Sequence, residues 1–227
     1  MRLLVLVALT LSYNQVTAQE CSFYYPQVAG AELTYQHYDG KDKPTGKTAH
    51  IVKDYHESGN SASATITVKN YDKKDELISE TTLEVKCESG IFYFDMKAYM
   101  NQQSMSSFEN MDVTIQADEL EMPYNLKVGD KLKDGNLNIS IKTGGMTIMS
   151  MNVSITDREV IAKENVTVPA GTFDCYKINQ LVQTTGPVRF VNQSSEWLCP
   201  GTGLIKNESH SDDGKITSRT VLTSLKR

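Results

Sequence analysis

The residues with chemistry to offer are four cysteines, four histidines, a few spaced acids and a run of methionines. Cys175 and Cys199 stand at equal distances from Pro187, which with Gly186 marks a turn. If Asp174 to Gln183 and the stretch closing on Trp197-Leu-Cys form one antiparallel hairpin without net bulge, Cys175 lies directly opposite Cys199. Cross-strand neighbours of this kind bring their Cβ atoms within reach of a disulfide. That choice leaves Cys21 to pair with Cys87. A thiolate metal site would need close pairs such as Cys-x-x-Cys, and the sequence has none.

The histidines are His37, His50, His56 and His210, and none sits in a His-x-His or His-Glu-x-x-His pattern. His37 and His50 would face each other across a hairpin centred near Lys43-Pro44. The reading is of solvated polar residues on an outer face, set against a metal site. There is no Gly-x-Ser-x-Gly, and the cysteines are committed to bridges, so an activated nucleophile has no obvious source. Glu119 and Glu121 share a strand face and read as a charged outer surface, since a glycosidase would want facing acids from different strands. The single tryptophan, Trp197, reads as a core plug rather than a sugar platform. Asp212-Asp213-Gly214 suits a hairpin turn better than a calcium loop. No glycine-rich phosphate cradle precedes a helix. Five Asn-x-Ser/Thr sequons occur, at Asn138, Asn152, Asn165, Asn192 and Asn207.

Every methionine except Met1 lies between Met96 and Met151. Met146-x-x-Met149-x-Met151 invites a Cu(I) site, but on a strand residues 149 and 151 share a face and 146 points the other way. Flexible thioethers also line adaptable apolar surfaces. Phe92, Phe94, Met96, Met111, Met149 and Met151 are therefore a candidate apolar pocket, with ordinary core filling as the alternative.

The elements that must position these groups read as strands and turns almost throughout. Gly30 to Tyr38, Thr48 to Tyr55, Ala62 to Tyr71 and Leu77 to Cys87 alternate apolar and polar residues, most clearly at Ala64, Ile66, Val68 and at Leu83, Val85. Turn-forming clusters separate them at Asp39-Gly40 and Lys43 to Gly46, at Ser58-Gly-Asn60, and at Asp72 to Asp75; Ser89-Gly90 follows. Ile91 to Met96, Met111 to Ala117, Leu120 to Tyr124, Leu137 to Thr143 and Met146 to Thr156 continue the series, with Gly144-Gly145 as a hairpin turn. Leu126 to Leu132 is a connection, and Tyr99 to Asn110 is a short helix or a loop. A strand from Arg158 enters the Val-Pro-Ala-Gly-Thr-Phe corner. The last hairpin bends at Asp212 to Lys215 before Ile216 to Leu225. The predicted fold is all-β: an antiparallel meander curled into a barrel or half-open barrel with at most one short helix, because curling limits exposed sheet edges.

Met1 to Ala18 has the basic residue, short apolar run and small-residue ending of a signal peptide, cut between Ala18 and Gln19. The apolar run is about half of a membrane span. Residues 19–227 are read as one β domain without a transmembrane segment. That mature chain has 22 Lys and Arg against 28 Asp and Glu, a net charge of −6, with no basic cluster, which argues against nucleic acid. Four cysteines beyond an export signal suit an oxidising compartment.

Several segments carry a resemblance: Val166-Thr-Val-Pro-Ala-Gly-Thr-Phe-Asp-Cys-Tyr-Lys-Ile178, the Trp-x-x-Pro-Gly-x-Gly-Leu-Ile-Lys run at 197–206, and Val221-Leu-Thr-Ser-Leu-Lys226. Cys21 before Tyr-Pro, Val85-Lys-Cys87, Leu126-x-Val-Gly-Asp130 and Asp134-Gly135 add to it. Over nearly the whole mature chain the sequence resembles the exported TapB-like family, related to bacterial domains of unknown function. The resemblance implies a curled β-sheet or partial barrel, comparable with periplasmic lipoprotein carriers. It also implies an interaction role, since the name-giving member is associated with a tetratricopeptide-repeat protein of the cell envelope. Cys199 departs from the family, whose members carry a small or polar residue there, so the register alone supports the 175–199 bridge. The expectation is an exported, non-enzymatic binding module without cofactor, placed in the periplasm or outside the cell and engaging an envelope protein. The alternative is a carrier of lipid or another apolar ligand.

Overall fold

The computed structural model describes residues 21–96, 112–187 and 189–227. They form thirteen antiparallel strands and no α-helix. In chain order these are β1 (Glu32–Asp39), β2 (Pro44–Ser58), β3 (Ser61–Asp72), β4 (Leu77–Glu88), β5 (Ile91–Asp95), β6 (Asp112–Ala117), β7 (Glu119–Pro123), β8 (Gly135–Thr143), β9 (Met146–Val168), β10 (Gly171–Thr185), β11 (Phe190–Cys199), β12 (Gly203–His210) and β13 (Ile216–Lys226). The sheet order is β6-β8-β9-β10-β11-β12-β13-β1-β2-β3-β4-β5-β7. Two meanders are thus joined by the pairing of β1 with β13, from Glu32 opposite Lys226 to Asp39 opposite Ser218.

The result is a nearly closed barrel with one unsealed seam. β6 and β7 are consecutive in the chain yet form the two ends of the sheet, and only Asp118 separates them. Asp118 pins the wall from both sides: its amide donates to the Asn136 carbonyl, its own carbonyl accepts from Met96, and its carboxylate accepts from the Asn136 amide. Next to β7, the connection after it doubles back on β9. Gly129 donates to the Val160 carbonyl at 2.7 Å and Leu132 to the Arg158 carbonyl at 2.9 Å.

Two apolar clusters fill the interior. The larger gathers Phe23, Tyr24, Tyr25, Leu33, Tyr35, Val52, Ile66, Val85, Phe92, Ile178, Ile205 and Leu222 among others. Here the N-terminal segment folds across the barrel end, with Phe23 edge-on to Tyr55 and Phe92 at 5.4 and 5.2 Å between centroids. Gly203 makes room for it, because at φ +104 a Cβ there would stand 2.5 Å from the Tyr24 carbonyl oxygen. The smaller cluster holds Met96, Leu120, Leu137, Ile139, Ile141 and Ile155.

Three readings of the sequence need correction. The expected strands Met146–Thr156 and from Arg158 onward are one strand, β9, which stays paired with β10 by absorbing bulges around Asp157, whose φ is 54°. The first hairpin turns at Asp39–Lys43 rather than near Lys43-Pro44. Asp42 takes a left-handed conformation and the Asp39 carboxylate accepts the amides of Lys41 and Lys43, so Pro44 already begins β2. His37 therefore pairs with Gly46 and His50 with Leu33, instead of with each other. The segment 99–110 and the cleavage site at Ala18 and Gln19 lie outside the described residues.

Candidate functional site

The alternation that buries Leu33 and Tyr35 on β1 continues to His37, so this imidazole faces inward. On β2 the facing positions are His50 and Thr48, and on β3 they are Val68 and Asn70. Apolar inner positions thus give way to polar ones toward the end of the barrel that carries the 39–43 and 211–215 turns. There His37 Nδ1 meets Thr220 Oγ1 at 2.9 Å and Nε2 meets Thr48 Oγ1 at 2.8 Å. Thr48 spends its proton on Asn70 Oδ1 at 2.8 Å, and Asn70 donates to Ser79 Oγ at 3.1 Å. Since the Thr48 hydrogen is committed, its oxygen accepts from His37, which fixes the Nε2–H tautomer and leaves Nδ1 to accept from Thr220. Burial holds the His37 pKa below its ordinary value, in keeping with that neutral ring.

His50 is set similarly. Tyr25 Oη lies 3.0 Å from its Nδ1, and burial, with His37 nearby as a smaller cause, lowers the His50 pKa to about 4. Burial also raises the Tyr25 phenol, so it is the donor. The expectation of solvated outer histidines is corrected for both: their alternation phase puts them inside. Chemically the His37, Thr48 and Asn70 part of the row is a satisfied polar belt. A hydrolytic relay needs a carboxylate to orient the imidazole, whereas both His37 nitrogens are taken by threonine hydroxyls. His56 and His210 lie near Asp54 and Glu208 at 3.8 and 3.9 Å. Among the described residues no group of three or more His, Cys, Asp or Glu is placed to hold a metal ion.

The remaining candidates separate. Glu119 and Glu121 pair outward with Lys86 and Lys133 at 3.3 and 2.6 Å. Asp213 closes the β12–β13 turn with Ser211 and Lys215. Trp197 is buried, with Lys177 and Lys206 at 4.7 and 4.4 Å from its ring and its indole N–H donating to Glu164 at 2.6 Å. Of the proposed pocket, Phe92 belongs to the larger core and Met96 to the smaller; Met149 and Met151 are half-buried against the smaller, and Phe94 touches both. Met111 lies outside the described residues. Two shallow surface depressions, of about 160 and 230 Å³, are lined by other residues, at His56–Lys86 and at Thr114–Ser150.

Cys21 and Cys87 are bonded. The β10–β11 register, Tyr176 opposite Leu198, carries Cys175 opposite Cys199 as the hairpin arithmetic requires. They are nevertheless two buried thiols and not the expected bridge. Register supplies proximity; closing the bond is a separate two-electron oxidation.

Two features had little signal in the sequence. Arg158 is 3% exposed inside the wall, donating to the Lys133 carbonyl at 2.6 Å and to Gln180 Oε1 at 3.3 Å. Its inward position depends on the bulges of β9. The second is a set of exposed apolar side chains at one barrel end, Met146 and Ile148 at the start of β9 with Phe190 and Val191 at the start of β11. β10 runs antiparallel between these strands; Phe190 pairs with its Thr184, while β9 meets its last residue, Thr185, at Asn152, so Met146 and Ile148 lie on a stretch of β9 that runs on past the end of β10. Hydropathy alone does not mark them as exposed.

The DUF3108-like family model matches residues 28–222. Two solved structures are similar across nearly the full chain. A protein of Bacteroides fragilis NCTC 9343, provisionally described as exported and as having a YmcC-like fold, is 23% identical with a TM-score of 0.76; the match covers 91% of this chain and 100% of that one. A protein of Parabacteroides distasonis ATCC 8503, provisionally described as a lipoprotein, is 24% identical with a TM-score of 0.77, covering 92% and 100%. These likenesses show a shared fold. No curated protein matches the chain. Among the described residues no helix is long and apolar enough to cross a membrane.

Proposed function

The chain belongs to the DUF3108-like family, and on that premise we propose that it is a non-enzymatic interaction module of the bacterial cell envelope that binds a protein partner at one end of its barrel. The observation that carries this reading is the exposure of Met146, Ile148, Phe190 and Val191, between 42% and 71%, on the two strands that flank β10, toward the side where β10 ends. Exposed apolar surface beyond scattered single residues is a common mark of a protein contact. Export rests on the signal sequence ending at Ala18, and the descriptions of the two structural neighbours agree with it. The finer assignment to a TapB-like group, with a tetratricopeptide-repeat protein as partner, rests on the sequence motifs. The non-enzymatic reading is supported by His37, both of whose ring nitrogens are engaged by threonine hydroxyls within the wall.

The test is capture of partners from envelope extracts with the mature protein and with a Phe190→Asp, Val191→Asp variant. The wild type should enrich one envelope protein and the variant should lose it at unchanged melting temperature. Repeated failure of the wild type to enrich any protein defeats the proposal.

A second reading, a carrier of lipid or another apolar ligand, is favoured by half-buried Met149 and Met151 beside the smaller core. Native mass spectrometry of protein purified from its own envelope should then show a small added mass that a Met149→Asp, Met151→Asp variant lacks. A bare mass for the folded wild type removes this reading.

A further inference from the structure

Cys175 and Cys199 stand opposite each other on β10 and β11 as two thiols. Both thiols are buried, Cys175 fully and Cys199 at 9% exposure. They face each other across a regular ladder, Tyr176 opposite Leu198 next to them. Each also has a backbone acceptor at 3.5 Å, Phe173 for Cys175 and Pro200 for Cys199. The pair sits at the barrel end that the N-terminal segment covers: Gly201 donates to the Phe23 carbonyl two residues beyond Cys199. That segment is tied to β4 by Cys21–Cys87, so the two cysteine pairs hold the same end from different strands.

We propose that Cys175 and Cys199 are an oxidisable pair, closed into a second bridge by exchange with a disulfide donor, with Cys199 reacting first and Cys175 resolving. The order follows from access, since only Cys199 retains exposed surface, and it is the last residue of β11, where the chain turns toward Gly203, whereas Cys175 lies inside β10. In the first step Cys199 loses its proton and its sulfur attacks one sulfur of the donor RS–SR. A Cys199–S–S–R bond forms, and RS⁻ leaves and takes up that proton. In the second step Cys175 loses its proton and attacks the Cys199 sulfur, expelling the second RS⁻, which is protonated in turn. The protein gives up two electrons and two protons, and the donor becomes two thiols.

The test uses the full mature protein, reduced while folded, exposed to oxidised glutathione, quenched with N-ethylmaleimide and read by intact mass and peptide mapping. Wild type should lose two alkylatable thiols and yield a 175–199 cross-linked peptide. Cys175→Ser should stop at one glutathione on Cys199, and Cys199→Ser should form its adduct about tenfold more slowly, as the full burial of Cys175 requires. Persistence of both wild-type thiols, or equal adduct rates in the two variants, overturns the proposal. If either variant fails to fold by circular dichroism, the order is read in the wild type from alkylation alone. Cys199 should then label about tenfold before Cys175, and equal or reversed rates reject the mechanism.

Discussion

The two apolar cores of this barrel are built on the same alternating pattern but are secured differently. The larger is capped by an N-terminal segment that adds Phe23, Tyr24 and Tyr25 to the wall residues and is tied to β4 through Cys21–Cys87. The smaller is aliphatic, rimmed by half-buried Met149, Met151, Val113 and Ile115, and it lies where β6 ends the sheet. Its close fit is local: a Cβ on Gly135 would meet Leu120 and the Met96 sulfur at 2.6 Å. Alternation therefore sets which side chains face inward, while covers and cross-links set how firmly they are held.

The strongest challenge to that contrast is Phe23→Ala. It removes a ring that is 2% exposed and touches both Tyr55 and Phe92, and it should cost about 3–5 kcal/mol in urea denaturation. A loss below about 1 kcal/mol would mean that the segment decorates the larger core without supporting it.

Opening the Cys21–Cys87 link with Cys21→Ala should cost about 2–4 kcal/mol. Hydrogen exchange should show faster opening in β2–β4 while β8 stays unchanged. Equal acceleration in both regions would make the two cores one cooperative unit.

Acid should act on the larger core through His50. Its folded pKa is lowered to about 4 from an ordinary 6.5, so between these values the unfolded chain binds the proton that the folded ring refuses. Stability is then complete above about pH 6.5 and falls as the pH drops toward 4, by at most about 3 kcal/mol. His50→Gln should flatten that part of the pH profile. An unchanged slope would assign it to other groups.

The smallest effects should mark the rim of the smaller core. Met149→Ala should cost about 1 kcal/mol, below the range for a fully buried methionine. Met146→Ser, at a side chain 71% exposed, should stay within about 0.5 kcal/mol. A larger loss at Met146 would reveal a contact partner for that residue.

Much of the wall was legible before any coordinates. Ala64, Ile66 and Val68 all turn inward, and the turn at Gly186-Pro187 places Cys175 opposite Cys199. The histidines show where that reading failed. Their polarity suggested solvent, but His37 continues the phase of Leu33 and Tyr35, and inner positions accept polar groups when hydroxyls and amides satisfy them. The continuity of β9 was missed because Thr156-Asp157-Arg158 looks like a break, and a bulge costs a strand less than a second turn and a new pairing would.

The sequence by itself determined the strands, most of their turns, the inward phase of each strand between bulges, and the pairing of most neighbours along the chain. These follow from local dihedral preference and a two-residue period. Only the tertiary structure decided that β1 pairs with β13, that Asp118 carries the chain from one end of the sheet to the other, and that Arg158 points into the wall. Those outcomes depend on sheet twist and on bulges summed over many strands, and no local pattern encodes such a sum.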